Sequence, residues 1–242
     1  MLASFLDLDP TIVFGFCVPV SSQMRVTTHK QDVLVWDLPV RVFHWLLVIS
    51  FAGAWLTAES EAQQMLHYAF GYSACALVLF RLVWGVMGTR YARFTQFIKG
   101  PTNTWHHIKV LVTGKGSLRF SSNLGHNPAG ALAMISLMVL VMLIGISGYW
   151  IVKDFYGDFM SKAHETIANI TLGVVIIHVL AAVIMSFMQK ENLVKAMVTG
   201  KKQGTPSQAI RGPLNLVGIL LILAWAYLMF LIYTGAMASL TQ

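Results

Sequence analysis

Charge is what this sequence has least of. Aspartate, glutamate, lysine and arginine make up 11% of its 242 residues, against about a quarter in an average soluble domain. Hydrophobic residues make up 56%, and the mean hydropathy is +0.66. So little charge excludes an ordinary water-soluble domain. Carboxylates are the scarcer sign: ten Asp plus Glu against seventeen Lys plus Arg, a net charge of +7. A basic balance can mark nucleic-acid binding, but these cations flank apolar runs on one side of a membrane, so no nucleic-acid partner is expected. Cysteine is nearly absent too. Cys17 and Cys75 make no CxxC or CxxCH pairing, which argues against covalent c-type haem attachment and an iron–sulfur centre. Cys75 lies inside an apolar run, where a disulfide is unexpected. The first residues lack the basic n-region and small-residue cleavage site of a signal peptide. The stretch TIVFGFCVPV is too short to span, and Met24 opens MRVTTHKQDVLVWDLPVRVFHW like a natural start. Residues 1–23 are therefore expected to be an upstream-start extension or a disordered tail.

What the sequence does have is long apolar runs. Five approach or exceed the roughly twenty residues that cross a bilayer. They run from about Pro39 to Ala58, Leu66 to Gly88, Gly130 to Ile151, His164 to Phe187 and Pro213 to Thr234. One bundle accounts for the length, so the fold expected is an all-α membrane protein with the lipid bilayer as its first partner. Arg25, Lys30 and Arg41 precede or open the first run. Arg90, Arg93, Lys99, Lys109, Lys115 and Arg119 lie between the second and third, and Lys190, Lys195, Lys201, Lys202 and Arg211 between the fourth and fifth. The opposite side has Lys153 and Lys162 against Glu59, Glu61, Asp154, Asp158 and Glu165. The positive-inside rule predicts a cytoplasmic N-terminus and a C-terminus on the far side. Two basic stretches, NTWHHIKVLVTGKG and NLVKAMVTGKK, read as interfacial amphipathic helices with their cations toward the headgroups. His106 and His107 adjoin on the first and point apart, so no metal site is expected there.

Four of the eight histidines fall in the runs: His44, His67, His164 and His178. Ionisable groups inside a bilayer are costly and default to function, although one alone can serve as interhelical hydrogen-bond glue. His164 and His178 are fourteen residues apart. That spacing returns a helix nearly to the same face about 21 Å further on. No single ion could bind both, so they belong to two levels, and each needs a partner from another helix. The direction of each run supplies it: His67 and His164 sit toward the outside, His44 and His178 toward the cytoplasm. A di-iron carboxylate site wants Glu-x-x-His, which does not occur. Zinc wants further N or S ligands, with no clear candidates at those depths. Haem iron needs two axial ligands beyond its porphyrin. Two bis-histidine b haems are the simplest answer, with a proton relay or hydrogen-bond glue as the alternatives. Arg81, fourteen residues past His67, faces the same interior near the inner level and needs an anion such as a haem propionate. Arg41, one turn before His44, either reaches a propionate by snorkelling or is ordinary flanking charge. Gly71, Gly145, Gly148 and Gly173 would admit a flat ring, and small-residue packing explains them equally.

At these residues the chain resembles the bacterial cytochrome b561 family. The family includes the b-type cytochrome subunits of nickel–iron hydrogenases and thiosulfate reductases and, more distantly, the gamma subunit of formate dehydrogenase. The matching stretches are WDLPVRVFHWLLV with His44, LHYAFGY with His67, GHNPAGALAM opening the third run, and AHETIANITLGVVIIHVLAAV with His164 and His178. Together they cover about Val35 to Lys202. The resemblance implies a four-helix bundle in the bacterial inner membrane, holding two b haems ligated from its first, second and fourth helices. It also implies a quinone, ubiquinone or menaquinone, near one haem. In the formate dehydrogenase type a polar residue at the start of the third helix takes part, which falls on His126 and Asn127. Read alone, GHNP is a helix-entry turn with Asn127 capping. The fifth run departs from the family pattern. It carries no histidine and no charge, so it anchors, makes a homodimer or docks a partner. The expected division is a cytoplasmic tail over 1–34, a dihaem domain over 35–204 and the fifth transmembrane helix over 205–242.

The function these readings imply is electron transfer between the quinone pool and a periplasmic partner, either a c-type cytochrome or a hydrogenase or dehydrogenase subunit. Filled axial positions would leave neither iron open to substrate, and no Ser, Cys or carboxylate constellation points to hydrolysis. One rival is a superoxide:ubiquinone oxidoreductase acting alone. Another, of a different class, is a non-redox transporter with a histidine proton relay, which leaves the two-level spacing without a reason.

Overall fold

The computed structural model of the protein describes residues 31–96 and 128–235. Residues 1–23, the amphipathic stretch around 105–114, and His126 and Asn127 lie outside the described residues. In chain order the elements are β1 (Gln31–Leu34), α1 (Leu38–Thr57), α2 (Gln64–Met87), α3 (Pro128–Val152), α4 (Gly157–Gln189), α5 (Leu193–Thr199), β2 (Lys201–Gly204) and α6 (Asn215–Tyr233). All the helices but α5 are long and apolar enough to cross a membrane. The five expected runs are therefore all helical. The largest difference in bounds is at α4, which starts seven residues before His164. Its first two turns carry Asp158 and Lys162, charges that suit a headgroup region rather than hydrocarbon.

Local chemistry explains where the helices begin and stop. Asp37 is extended and accepts a hydrogen bond from Val40 N through Oδ1 at 2.9 Å. With Pro39 in the first turn this is the usual way to open a helix. Asp37 has no solvent exposure, and its other oxygen is occupied as well: Oδ2 accepts from Thr89 Oγ1 at 2.6 Å and from Trp84 Nε1 at 3.2 Å. One carboxylate thus fixes the start of α1, the last turn of α2 and the loop after it. Arg41 and Arg81 both sense its charge.

The end of the bundle at Asp37 is closed by a small cap. β1 pairs antiparallel with β2, Gln31 opposite Gly204 and Leu34 opposite Lys201. Gly200 ends α5 at a φ of +79°, and a side chain there would meet Trp36 O at 2.6 Å. Its carbonyl accepts from Val35 N and Trp36 N at 2.8 and 3.0 Å. Leu38 N donates to Pro213 O and Ile210 N to Leu34 O. Val33, Val35, Trp36, Val40, Tyr91, Ala92 and Ile210 make its apolar core. This differs from the expectation for NLVKAMVTGKK. The helix is present, but Lys202 does not reach for headgroups. It is 8% exposed, with Nζ 3.8 Å from Glu191 Oε2.

Away from this ribbon end, α1 and α2 pack along each other and α6 lies across both. Phe43, Leu46, Leu77 and Leu221 share a core, Trp225 Nε1 donates to Ser50 Oγ at 2.9 Å, and Gly218 sits against Leu38. Helix α6, the fifth of the transmembrane runs, therefore docks on its own chain. A second core of Ala74, Val78, Met138 and Val141 joins α2 to α3. There Gly145 allows close approach, because a methyl group on it would fall 2.1 Å from Cys75 Sγ. Helix α4 leans on α3, and of its own residues only Met160 and Thr171 are buried. The α1–α2 and α3–α4 turns share the other, hairpin end.

Replacing Asp37 by alanine strands three donors and removes a helix cap, at a cost of about 2–4 kcal/mol. The apparent Tm in detergent should fall by about 5–10 °C, while Thr89→Val should lose only part of that. Burial pushes the Lys202 ammonium below the ordinary lysine range, with Glu191 opposing. The unfolded chain then binds that proton more tightly, so the stability contributed here is full at alkaline pH and is lost as pH falls through the lowered value. Lys202→Met should exceed the wild type in apparent Tm at neutral pH, and scanning fluorimetry should show the gap narrowing as pH rises.

Candidate functional site

Each buried polar side chain in a membrane helix needs a partner, since lipid supplies none. His67, on the first turn of α2, finds one in α1. Its Nδ1–H donates to Ala54 O at 2.8 Å. Ala54 belongs to the last turn of α1, where carbonyls lack the usual backbone partner, and its oxygen accepts from both the imidazole and Thr57 Oγ1, the latter at 3.2 Å. His164, in the second turn of α4, leans on α3. Its Nδ1–H is shared between Ile144 O at 3.1 Å and Ser147 Oγ at 3.0 Å. The Ser147 hydroxyl itself donates to Ile144 O at 2.9 Å, so its oxygen acts as acceptor toward the ring. Gly148 leaves room for that ring, because a methyl group there would lie 3.2 Å from His164 Cε1.

Both carbonyl bonds fix the tautomer. The proton is on Nδ1 of His67 and of His164, and each Nε2 keeps a free lone pair. The rings meet edge to face, with centroids 6.2 Å apart and planes 66° apart. An imidazole nitrogen binds a first-row metal at about 2.0–2.1 Å, and His67 and His164 would be the residues to hold one between them. Among the described residues no group of three or more His, Cys, Asp or Glu side chains gathers. A donor set of two imidazoles suits a group that brings its own equatorial ligands, which a porphyrin does.

The second level lies toward the ribbon end. His44 is the seventh residue of α1, and His178 is fourteen residues past His164 on α4, about 21 Å along the axis. The two are electrostatic neighbours although their helices share little contact. His44 stands edge-on to Trp45 at 5.1 Å, and Trp45 Nε1 donates to Met197 O. The Nδ1 of His44 is buried and has no partner among the described residues. Midway between the levels, Thr171 is fully buried and donates to Ile167 O.

The two arginines expected here are placed by other contacts. Arg81 is 1% exposed. Its Nη2 donates to Ala92 O at 2.9 Å and its guanidinium lies 5.0 Å from the Phe94 ring centre, while Nη1 is buried without a partner. Part of its demand for an anion is met by Asp37, which the sequence reading did not foresee. Arg41 Nη1 donates to Val198 O at 2.6 Å, and its Nε is buried and unpaired. Among the glycines, Gly145 and Gly148 serve close packing, while a methyl on Gly71 or Gly173 would meet nothing within 4 Å. Sequence reasoning missed Ser147, the Ala54 carbonyl and Asp37. Only Asp37 carried a local signal, the Asp-Leu-Pro of a helix start.

Comparison with known proteins gives a consistent picture. The chain is 25% identical over 139 residues to the probable Ni/Fe-hydrogenase 1 B-type cytochrome subunit of Escherichia coli K12, covering 48% of this chain and 58% of that relative. The probable Ni/Fe-hydrogenase B-type cytochrome subunits of Azotobacter vinelandii and Rhizobium leguminosarum bv. viciae are 24% and 21% identical. Those matches cover 71% and 72% of this chain and 88% and 90% of the relatives. No solved structure matches significantly. The model of the prokaryotic cytochrome b561 family matches residues 35–200, from the residue after β1 through the glycine that ends α5 and across both histidine levels. By that match the chain belongs to the prokaryotic cytochrome b561 family, and it is a multi-pass membrane protein of the b-type cytochrome class.

Proposed function

We propose that this chain is a dihaem cytochrome that carries electrons between a quinone and a nickel–iron hydrogenase on the opposite side of the membrane. The observation that carries the reading is the pair of imidazole levels, one of them with its rings set 6.2 Å apart and their free nitrogens unprotonated. His67 and His164 would hold one haem toward the hairpin end, and His44 and His178 the other toward the ribbon end. When bound, each haem would supply one-electron exchange at its iron. The chain's own residues do the rest. Ala54 O, Ile144 O and Ser147 hold the hairpin-end rings in register. Arg81 Nη1 and Arg41 Nε are buried donors that a propionate oxygen would satisfy.

Orientation follows from charge. Arg90, Arg93, Lys190, Lys195, Lys201 and Arg211 are exposed at the ribbon end, whereas Glu59, Glu61, Asp154, Asp158 and Glu165 are exposed at the hairpin end beside Lys153 and Lys162. The ribbon end is then cytoplasmic and the hairpin end periplasmic. The hydrogenase partner comes from the relatives' names. The quinone would lie near the ribbon-end haem, with His126 and Asn127 as candidates by position in the sequence.

Two experiments test this. Pyridine haemochrome analysis of the purified chain should give two b haems. Alanine at His44 or His178 should remove one, and alanine at His67 or His164 the other. Loss of both from every variant, or loss of the same haem from His44 and His67 variants, would break the pairing. Separately, affinity purification of the full chain from solubilised membranes should retain a nickel–iron hydrogenase whose exposure to hydrogen reduces the haem spectrum. A chain with two haems that co-purifies with no hydrogenase and stays oxidised under hydrogen would refute the partner while leaving the haem count intact.

A further inference from the structure

At the hairpin end both imidazoles are seated by carbonyls of neighbouring helices. At the ribbon end the Nδ1 of His44 is buried and has no such seat among the described residues. The helices that carry His44 and His178 also share little contact. Something else must hold α1 and α4 at a set distance there, and α5 is fastened to both. Trp45 Nε1 donates to Met197 O at 3.3 Å, and Arg41 Nη1 donates to Val198 O at 2.6 Å. Those oxygens belong to the last turn of α5, where backbone donors run out. At the opposite end of α5, Ser186 of α4 makes the joint. Its Oγ accepts from Leu193 N, the first residue of α5, at 3.0 Å and donates to Ala182 O at 2.7 Å. Its carbonyl accepts from Glu191 N at 3.2 Å, and Asn192 caps α5 by accepting from Lys195 N at 2.8 Å. Trp45 adjoins His44 on α1, and Ser186 lies about two turns past His178 on α4.

We infer that α5 is a strut that sets the gap between His44 and His178, with Trp45 and Ser186 as the positioning residues at its two ends. This rests on the dihaem reading proposed above. Metal–nitrogen bonds vary little in length, so two imidazoles share one ion only across a fixed gap. Where their helices do not touch, a third element has to maintain it. The indole proton of Trp45 and the hydroxyl proton of Ser186 are both spent on protein carbonyls, so neither residue has one left for a prosthetic group. Both act through α5 alone. Arg41 fastens the same end, but its spare Nε also suits a propionate, so it does not separate the two roles.

Carbon monoxide binding to the intact purified chain, chemically reduced and followed by its absorption bands, tests this without an activity assay. Carbon monoxide reaches an iron held by two imidazoles only when one of them lets go. Trp45→Phe keeps a ring against His44 and loses the N–H, and Ser186→Ala opens the joint at the far end. Each should retain both haems and bind carbon monoxide at one of them about two- to tenfold faster, the effect of one lost hydrogen bond on an opening equilibrium. Ser186→Thr keeps the hydroxyl and should return to the wild-type rate. In a His67→Ala background, which leaves the ribbon-end haem, the same increase should appear. Wild-type rates in both variants, or an increase confined to one end of α5, would overturn the strut while the dihaem reading survives. So would an increase at the hairpin-end haem. If a variant loses a single haem, its spectrum must match that of His44→Ala; loss of the other haem, or of both, refutes the assignment. If the wild type itself holds fewer than two haems, the dihaem reading fails.

Discussion

A carboxylate with no solvent exposure, Asp37, sets the geometry of the ribbon end. Its two oxygens accept from the start of α1, from Trp84 near the end of α2 and from Thr89 beyond it. Two helices that run in opposite directions are thereby locked at one level. The depth of His44, two turns further along α1, follows from that lock, and so does the place of Arg81 near the end of α2. A buried charge is tolerable only with compensation on every side, and here three donors and two guanidinium neighbours provide it. Moving either helix by one turn would break several of these contacts together, so the arrangement resists sliding.

The hairpin end solves a related problem with neutral groups. A helix that stops inside or near the bilayer leaves carbonyls without partners. The last turn of α1 offers Ala54 O to His67, shared with Thr57 Oγ1, and α3 offers Ile144 O and a serine oxygen to His164. In each case the helix that bears the imidazole differs from the helix that seats it. Four helices therefore meet around one pair of rings, although α4 is otherwise buried at few positions. The scarcity of protein contacts on α4 fits a helix whose surroundings are lipid and a prosthetic group, and b-type haem is what membership of the family implies.

Much of this was readable in the sequence, for a simple reason. Hydrocarbon thickness fixes the length of an apolar run, so α1, α2, α3 and α6 fall within about two residues of where composition puts them. Helical arithmetic and the direction of each run sort four histidines into two levels, and the structure brings His67 against His164. The start of α4 was not readable from apolarity, because a helix can continue into the headgroup region on charged residues. The ribbon was not readable either. QDVL and KKQG are four residues each, without the alternation that marks a strand. Ser147 looked like ordinary small-residue packing between Gly145 and Gly148. Its role depends on how α3 and α4 are turned toward each other, which no local pattern encodes.

The ribbon also bears on the order in which the molecule can be completed. The side chains of Gln203 and Asp32 meet across it although 171 residues separate them in the chain. The first strand emerges early in synthesis and waits for a mate until α1 through α5 exist. Until then α1 lacks the clasp that Gly200 and Pro213 give its approach, and only the helix after the ribbon remains to be laid over α1 and α2. Fastening is therefore a late event in biogenesis, and that end of the bundle is clasped only after the helices it holds have been made.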